Sequence, residues 1–320
     1  MGRPGSRAAA LGLALAGLAA AGGLAATSTP IRAMRWLAPG ADTARVLSSA
    51  PVECLSPAPD AETAYKIEVG RAAFRSPLLL GGQAARAGLT CESCHREGRT
   101  NPDFQFPGVS GPPGTADVTS SLFSSHRGDD LDNPRPIPDL GGPVAKLKVS
   151  RKPGDPALKT FIHGLVTEEF DGAEPSPAVL EGLATYVRSL SPEACPAESS
   201  RPVRVAGLIE DARRAARAGL AAEAGRDPET AIAMVQAARG RLGLIFERYD
   251  GAELAGERAA LSAADRDLAD ILARLRRRDP GAGAAIEAWL DRSDVWARKL
   301  AAAEPRSLFA PRRLAEKIER

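Results

Sequence analysis

The sequence has few of the residues that carry most side-chain chemistry, since its 320 residues include only 4 cysteines and 3 histidines. So few cysteines exclude a disulfide-rich scaffold. Aromatic residues make up 4%, so Ala, Leu, Val and Ile must build the core. The chain also lacks a charge excess, and a net charge of +2 argues against a nucleic-acid-binding protein. A hydrophobic content of 44% excludes a fully disordered chain.

Long apolar runs are scarce, and the clearest one stands at the N-terminus. Arg3 and Arg7 precede an uncharged stretch whose apolar part, 8–26, is 19 residues long. A basic start, an apolar run and small residues predict a secretory signal over 1–27. The run is also just long enough to span a bilayer, so a retained signal-anchor stays open. We expect export to the periplasm, with N-terminal membrane anchoring as the alternative, and cysteines can oxidise there.

Changes in composition divide the remaining chain. Prolines are frequent in 28–53, which predicts a tether, and 54–196 is rich in Gly and Pro between short helical patterns. Residues 201–320 contain no Cys or His, and their apolar residues repeat at helical spacing. Heptad-like positions are Val235, Ala238, Leu242, Ile245 and Tyr249, followed by Leu261, Leu268, Ile271, Leu272 and Leu275. We predict a mostly α protein whose C-terminal part is an antiparallel helical bundle serving interaction or oligomerisation.

The strongest motif is Cys91-Glu92-Ser93-Cys94-His95, which has the CxxCH pattern of c-type haem attachment. Two thiols three positions apart can form thioethers with the two haem vinyl groups, and the adjacent histidine becomes the proximal iron ligand. A zinc half-site would need a second Cys or His pair, which the chain lacks. A thioredoxin-like redox pair would need a βαβ context, which is also missing. We therefore expect one covalently attached haem c.

The flanks of the motif resemble the cytochrome c family. The segment 61–74 reads as a helix with Gly70 and Phe74 on one face, and 177–190 as a helix in which Tyr186 lies beside the apolar face. In that family an N-terminal helix with a Gly/aromatic pair crosses a C-terminal helix bearing an aromatic residue, and CxxCH follows the first helix. The resemblance covers about 61–190 and implies a cytochrome c fold for the domain 54–196.

A closer likeness is to the haem domains of bacterial di-haem cytochrome c peroxidases and methylamine-utilisation-type proteins. The segment 70–78, GRAAFRSPL, is similar to the GRxLFxDPxL entry of that group. The segments 115–123 and 136–140 are similar to its later loops. Those peroxidases carry two CxxCH motifs and this chain carries one. Because of this departure we expect a mono-haem protein, and the resemblance does not extend to a two-haem electron relay within the chain.

The second axial ligand decides what a haem iron does, because a saturated iron favours electron transfer and an open one allows ligand chemistry. No methionine lies between the motif and residue 196. His126 stands in a loop-like stretch that could cover the distal face, and it is the first candidate. His163, beside Phe161 and Ile162, is the second. An open site and a ligand from elsewhere remain alternatives.

The other two cysteines flank the predicted haem domain, Cys54 just before its first helix and Cys195 just after its last. Their placement predicts a disulfide that closes the domain where its terminal helices meet. Chain-entropy arithmetic gives such a bond roughly 4–5 kcal/mol of stabilisation. Two separate buried thiols are the alternative.

These expectations combine into a periplasmic mono-haem cytochrome that exchanges single electrons with a redox partner, such as another cytochrome, an oxidase or a dehydrogenase. We expect an electron carrier rather than a catalyst. Two alternatives stay open at the level of sequence. One is a peroxidase-like enzyme with an open iron, for which Glu168 and Glu169 are candidate acid–base groups. The other is a haem-based sensor or assembly factor in which the haem domain gates the bundle.

Overall fold

The computed structural model describes Gly2 and residues 31–143, 147–197 and 199–319. The signal peptide or anchor predicted over 1–27 lies outside these residues except for Gly2. The protein is mostly helical, with 58% helix and 5% strand, which confirms the mostly α prediction and the bundle-like packing. No helix within the described ranges is long and apolar enough to cross a membrane.

Eleven α-helices are described, several of them a single turn or two. They are α1 Thr43–Ser48, α2 Ala61–Phe74, α3 Gly82–Ala87, α4 Cys91–Cys94, α5 Ala157–Gly164, α6 Pro177–Ser189, α7 Val205–Ala224, α8 Pro228–Arg248, α9 Ala255–Arg276, α10 Ala282–Ala303 and α11 Pro311–Ile318. A π-helix, Leu165–Glu169, follows α5. The strands β1 Ser49–Pro51 and β4 Ser200–Pro202 pair antiparallel, as do β2 Thr115–Ala116 and β3 Arg135–Pro136.

The segment predicted as a tether, 28–53, contains ordered structure in its described part. A 3-10 helix spans Arg32–Trp36, α1 follows, and β1 pairs with β4. Val46 and Leu47 of α1 are buried. Of the prolines that suggested a tether, Pro39 lies in a turn and Pro51 ends β1, where a missing N–H costs no ladder hydrogen bond.

Helices α2 and α6 cross where two glycines meet. A Cβ atom on Gly70 would lie 2.0 Å from the carbonyl oxygen of Gly182, so the helix backbones touch there. One turn further on, the rings of Phe74 and Tyr186 pack edge to face with centroids 5.2 Å apart. The Gly/aromatic pattern read from the sequence thus lies at a helix crossing.

Helices α7 to α10 form the bundle and bury the seams predicted from the sequence, with Val235, Leu242, Leu268 and Ile271 in one apolar core. Asp227 caps α8 by accepting a hydrogen bond from Thr230 N, with proline at the first helical position. Helix α2 packs against both α7 and α8. The predicted domains 54–196 and 201–320 therefore pack together in one compact unit that begins at Ile31.

Candidate haem-attachment site

The CESC segment forms one helical turn because its N-terminus is capped on both sides. Thr90 Oγ1 accepts a hydrogen bond from Ser93 N at 3.2 Å, and Ser93 Oγ accepts one from Thr90 N at 3.0 Å. This capping box satisfies two backbone donors that a helix start leaves unpaired. The turn brings Cys91 and Cys94, three positions apart, onto one side of α4. Both are free thiols.

The two thiols lie against different apolar clusters. Cys91 packs against the cluster formed by α2 and α6, and Cys94 against a second cluster that includes Leu80 and Phe104. Burial raises the pKa of each thiol to about 12. A redox-active or nucleophilic cysteine needs a lowered pKa, so this environment argues against a thioredoxin-like pair.

His95 follows α4 and is held by a single well-defined contact. Its Nδ1 lies 3.0 Å from the carbonyl oxygen of Pro138. Because a carbonyl can only accept, the ring proton is on Nδ1 and the lone pair is on Nε2, the form in which an imidazole ligates iron. Burial lowers the pKa of His95 to about 4, which keeps the ring neutral. Its centroid lies 6.3 Å from that of Phe74.

The loop that carries the Pro138 carbonyl is fixed by hydrogen bonds of the residues on either side of Pro138. Thr100 Oγ1 donates to Ile137 O at 3.0 Å, and Leu140 N donates to Gly98 O at 3.1 Å. Arg99 Nε donates to Asp139 Oδ1 at 2.8 Å. The loop that accepts the hydrogen bond of His95 is therefore linked by hydrogen bonds to the chain that follows the motif.

Cys54 and Cys195 lie at disulfide distance, with their sulfur atoms 2.06 Å apart and 141 positions between them in sequence. The link joins the chain before α2 to the chain after α6, as predicted from their placement. Ser191 N also donates to Cys54 O at 2.9 Å. Arg99 Nη1 lies 2.9 Å from Cys54 Sγ, so the disulfide borders the loop that holds His95.

The two candidate distal histidines lie in different surroundings. The side chain of His126 is 63% exposed, and its Nδ1 lies 3.1 Å from Asp171 Oδ1, which leaves Nε2 free. The imidazole of His163 instead engages Nε2, 2.7 Å from Glu174 Oε2. A carboxylate on Nδ1 is the arrangement that orients a metal-ligating histidine, and it favours His126. Asp171 also accepts from Ser125 N, and these hydrogen bonds lower its pKa.

His126 stands near an aromatic cluster that reaches the motif. Phe123, three residues before it, packs against Phe170 with centroids 5.5 Å apart. Both rings belong to or border the apolar cluster that Cys94 contacts. His163 lies on α5 beside Ile162, which packs against the cluster around α2 and α6.

Sequence reasoning missed a buried cluster of charges beside the motif. Arg75, at the end of α2, has only 2% of its side chain exposed and pairs with four carboxylates. These carboxylates belong to Glu53, Glu92, Glu97 and Asp211. We call these five residues, together with Arg71 and Arg241, the Arg75 cluster. Its members are scattered from position 53 to 241, so no local pattern could have revealed it.

Electrostatics within the Arg75 cluster follow from burial and pairing. Burial alone would raise the pKa of Asp211, yet the guanidinium groups of Arg75 and Arg241 hold it below its usual value. Burial raises the pKa of Glu97 above its usual value. Tyr186 donates its hydroxyl hydrogen to Glu53 Oε1 at 2.7 Å, and burial raises the pKa of this phenol.

A cavity of about 240 Å³ lies apart from the motif, lined by Gly108, Ser120, Ser121, Leu131 and three aspartates. The aspartates are Asp117, Asp130 and Asp132. Across the part of the chain that the structure describes, no group of three or more His, Cys, Asp or Glu residues could hold a bare metal ion.

No family model, curated protein or solved structure matches this chain. The resemblance to the cytochrome c family therefore rests on the sequence motifs given above.

The residues at the motif fit a c-type haem. They offer two free thiols on one helical turn, a neutral imidazole with an available Nε2, and apolar clusters beside both cysteines. Sulfur and imidazole donors in this combination are those that hold a covalently attached haem.

Proposed function

We propose that this chain is a mono-haem c-type cytochrome that exchanges single electrons with a redox partner in the periplasm. Cys91 and Cys94 would hold the haem through two thioethers, and His95 would ligate the iron through Nε2. When bound, the haem supplies a one-electron ferric/ferrous couple. The observation that carries the proposal is the Nδ1 hydrogen bond of His95 to Pro138 O beside two free thiols.

The chain's own residues would do three things in this function. Thr90 and Ser93 hold the thiols on one turn, and the loop around Pro138 fixes the orientation of His95. The apolar clusters beside Cys91 and Cys94 would limit the access of water to a haem held there, which favours a buried redox centre over an exposed one. The crossing of α2 and α6, with Phe74 against Tyr186, supports a cytochrome c fold over 61–190.

The geometry around His126 supports a carrier over an enzyme with an open iron. Its Nδ1 is paired with Asp171, so its Nε2 is the nitrogen free to act as a second axial ligand. With His95 and His126 both holding a haem, no position for peroxide would be left on the iron. The partner we propose is another redox protein of the exported compartment.

The experiment is expression of the chain with cytochrome c maturation machinery, followed by intact-mass and absorption measurements. We expect the mass of one haem to remain after denaturation, a low-spin ferric spectrum, and a redox titration that fits one electron. Cys91→Ala/Cys94→Ala should abolish covalent attachment, whereas Cys54→Ala/Cys195→Ala, which leaves the motif intact, should retain it. Absence of covalent haem in the unmodified chain refutes the proposal, and a high-spin iron that binds cyanide readily refutes the carrier function.

A further inference from the structure

The Arg75 cluster contacts residues 91–98, which we call the attachment segment, on both sides of His95. Arg75 Nε lies 3.2 Å from Glu92 Oε1, and Glu92 stands between the two cysteines of the motif. Arg75 Nη2 lies 2.5 Å from Glu97 Oε2, and Glu97 stands two residues after His95. One buried guanidinium therefore connects the chain before and after the proximal ligand.

The backbone of Glu97 adopts an uncommon conformation that these ion pairs stabilise. Glu97 has φ 52° and ψ 37°, the left-handed region that residues with a side chain rarely adopt. Only 12% of its side chain is exposed, and its other carboxylate oxygen lies 3.2 Å from Arg201 Nη2. Ion pairs on both oxygens hold the chain in this turn directly after the motif.

The C-terminal bundle supplies part of the cluster. Asp211 of α7 lies 2.9 Å from Arg75 Nη1. Arg241 of α8 donates from Nη2 to Arg75 O at 2.8 Å and lies 3.3 Å from Glu92 Oε2. The side chains of Asp211 and Arg241 are 16% and 8% exposed. Arg241 thus contacts the attachment segment directly, and Asp211 contacts it through Arg75, in surroundings where screening by water is weak.

We infer that Asp211 and Arg241 are positioning residues of the haem site, through which the bundle holds the attachment segment and sets its electrostatic potential; this rests on the proposed function. The two residues carry opposite charges. Asp211 pairs with the guanidinium of Arg75, whereas Arg241 contacts the backbone carbonyl of Arg75 and the carboxylate of Glu92. Loss of Arg241 makes the site more negative and favours ferric iron. Loss of Asp211 makes it more positive and favours ferrous iron. Either loss also removes a contact that holds the attachment segment in position.

The test compares Arg241→Gln and Asp211→Asn with two matched controls, Arg239→Gln and Asp265→Asn. Arg239 lies on the same helix as Arg241 and pairs with Asp265 at 2.8 Å, but both control side chains are more than a third exposed. The full-length holoprotein is titrated with redox mediators, and the ratio of ferric to ferrous haem is read from the absorption spectrum.

We expect Arg241→Gln to raise the equilibrium constant for oxidation about tenfold, which is about 59 mV for one electron, and Asp211→Asn to lower it about tenfold. The controls should stay within about twofold of the unmodified protein, as surface pairs are weak and screened. Arg241→Lys, which keeps the charge, should also stay within about twofold. Shifts of the same sign in both variants, or no shift beyond the controls, overturn the inference.

A second readout does not need the haem. Hydrogen exchange of the 91–98 amides is measured in chain made without maturation machinery, and we expect exchange about tenfold faster in Arg241→Gln and Asp211→Asn than in the controls. Equal exchange in all four variants refutes the positioning role. If the unmodified chain carries no covalent haem, the proposed function and the effect on oxidation state both fail, while the exchange result still decides whether the bundle positions the segment. If Asp211→Asn fails to fold, the comparison of Arg241→Gln with Arg241→Lys decides whether the inference holds.

Discussion

Replacement of Gly70 by alanine sets two opposing effects against each other at the crossing of α2 and α6. In a helix interior, alanine is favoured over glycine by about 1 kcal/mol, because glycine loses more backbone entropy on folding. Against this, the new Cβ would lie 2.0 Å from Gly182 O and 2.8 Å from Leu183 N, whereas ordinary contacts begin near 3.4 Å. The crossing must therefore open by more than 1 Å.

The clash should exceed the gain in propensity, because both contacting atoms belong to backbone that cannot rotate away. Overpacking of this kind costs about 3 kcal/mol, the upper end of the usual range. Subtracting the gain in propensity leaves a net loss of about 2 kcal/mol in the free energy of unfolding. We therefore expect Gly70→Ala to destabilise the protein although alanine is the better helix former.

The matched control is Gly240→Ala in the interior of α8, where a Cβ would meet nothing within 4 Å. Only the propensity effect operates there, so we expect a gain of about 0.5–1 kcal/mol. Both variants are unfolded in urea and followed by far-ultraviolet circular dichroism, in the same haem state. Similar stabilisation by both substitutions would show that the helices do not touch at Gly70, and the geometry of the crossing would be refuted.

Three further predictions concern the disulfide, the distal ligand and the attachment turn. Cys54→Ala/Cys195→Ala should lower the free energy of unfolding by roughly 4–5 kcal/mol, since the bond closes a long loop in the unfolded chain; a loss below about 1 kcal/mol in urea titration contradicts this. His126→Ala should convert the ferric spectrum of the holoprotein from low to high spin, whereas His163→Ala should leave it unchanged; the reverse result reassigns the ligand. Thr90→Ala should cost about 1 kcal/mol of stability through loss of the cap, and unchanged thermal unfolding would contradict the capping box.

The parts of the fold that the sequence predicted depend on local patterns. Gly70, Phe74 and Tyr186 could be recognised because helical spacing places them at fixed positions on their helices. The seam from Val235 to Tyr249 predicted the buried face of α8, because apolar residues at steps of three and four share one side of a helix. The two motif cysteines could be paired from their spacing alone, and in the structure one helical turn places both on the same side.

The segment 28–53 was harder to interpret, because its prolines are typical of a tether and equally of short elements with edge strands. What orders it is contact with distant residues. Ser49 of β1 stands opposite Pro202 of β4, and Arg45 pairs with Asp103 at 3.1 Å. Contacts between residues so far apart in sequence cannot be read from composition.

The Arg75 cluster could not be predicted at all, because each member alone has an ordinary exposed interpretation. Burying several charges costs several kcal/mol for each ion, and replacement by apolar side chains of similar volume is often neutral or stabilising. Stability alone therefore gives no reason for three guanidinium groups and four carboxylates to be packed together. A requirement to hold His95 in position gives such a reason. Glu92 and Glu97 lie on either side of His95, and Arg75 places both carboxylates by directional contacts.

This placement also gives the C-terminal bundle a role that its sequence did not suggest. Read as repeating apolar seams, residues 201–320 predicted an interaction module separate from the haem domain. In the structure, α7 and α8 each bring one charged side chain to the Arg75 cluster, and the same helices pack against α2. An isolated 54–196 fragment would leave Arg75 without Asp211, and Glu92 without Arg241, so partly unpaired charges would face water or apolar surface. The bundle therefore completes the surroundings of the attachment segment.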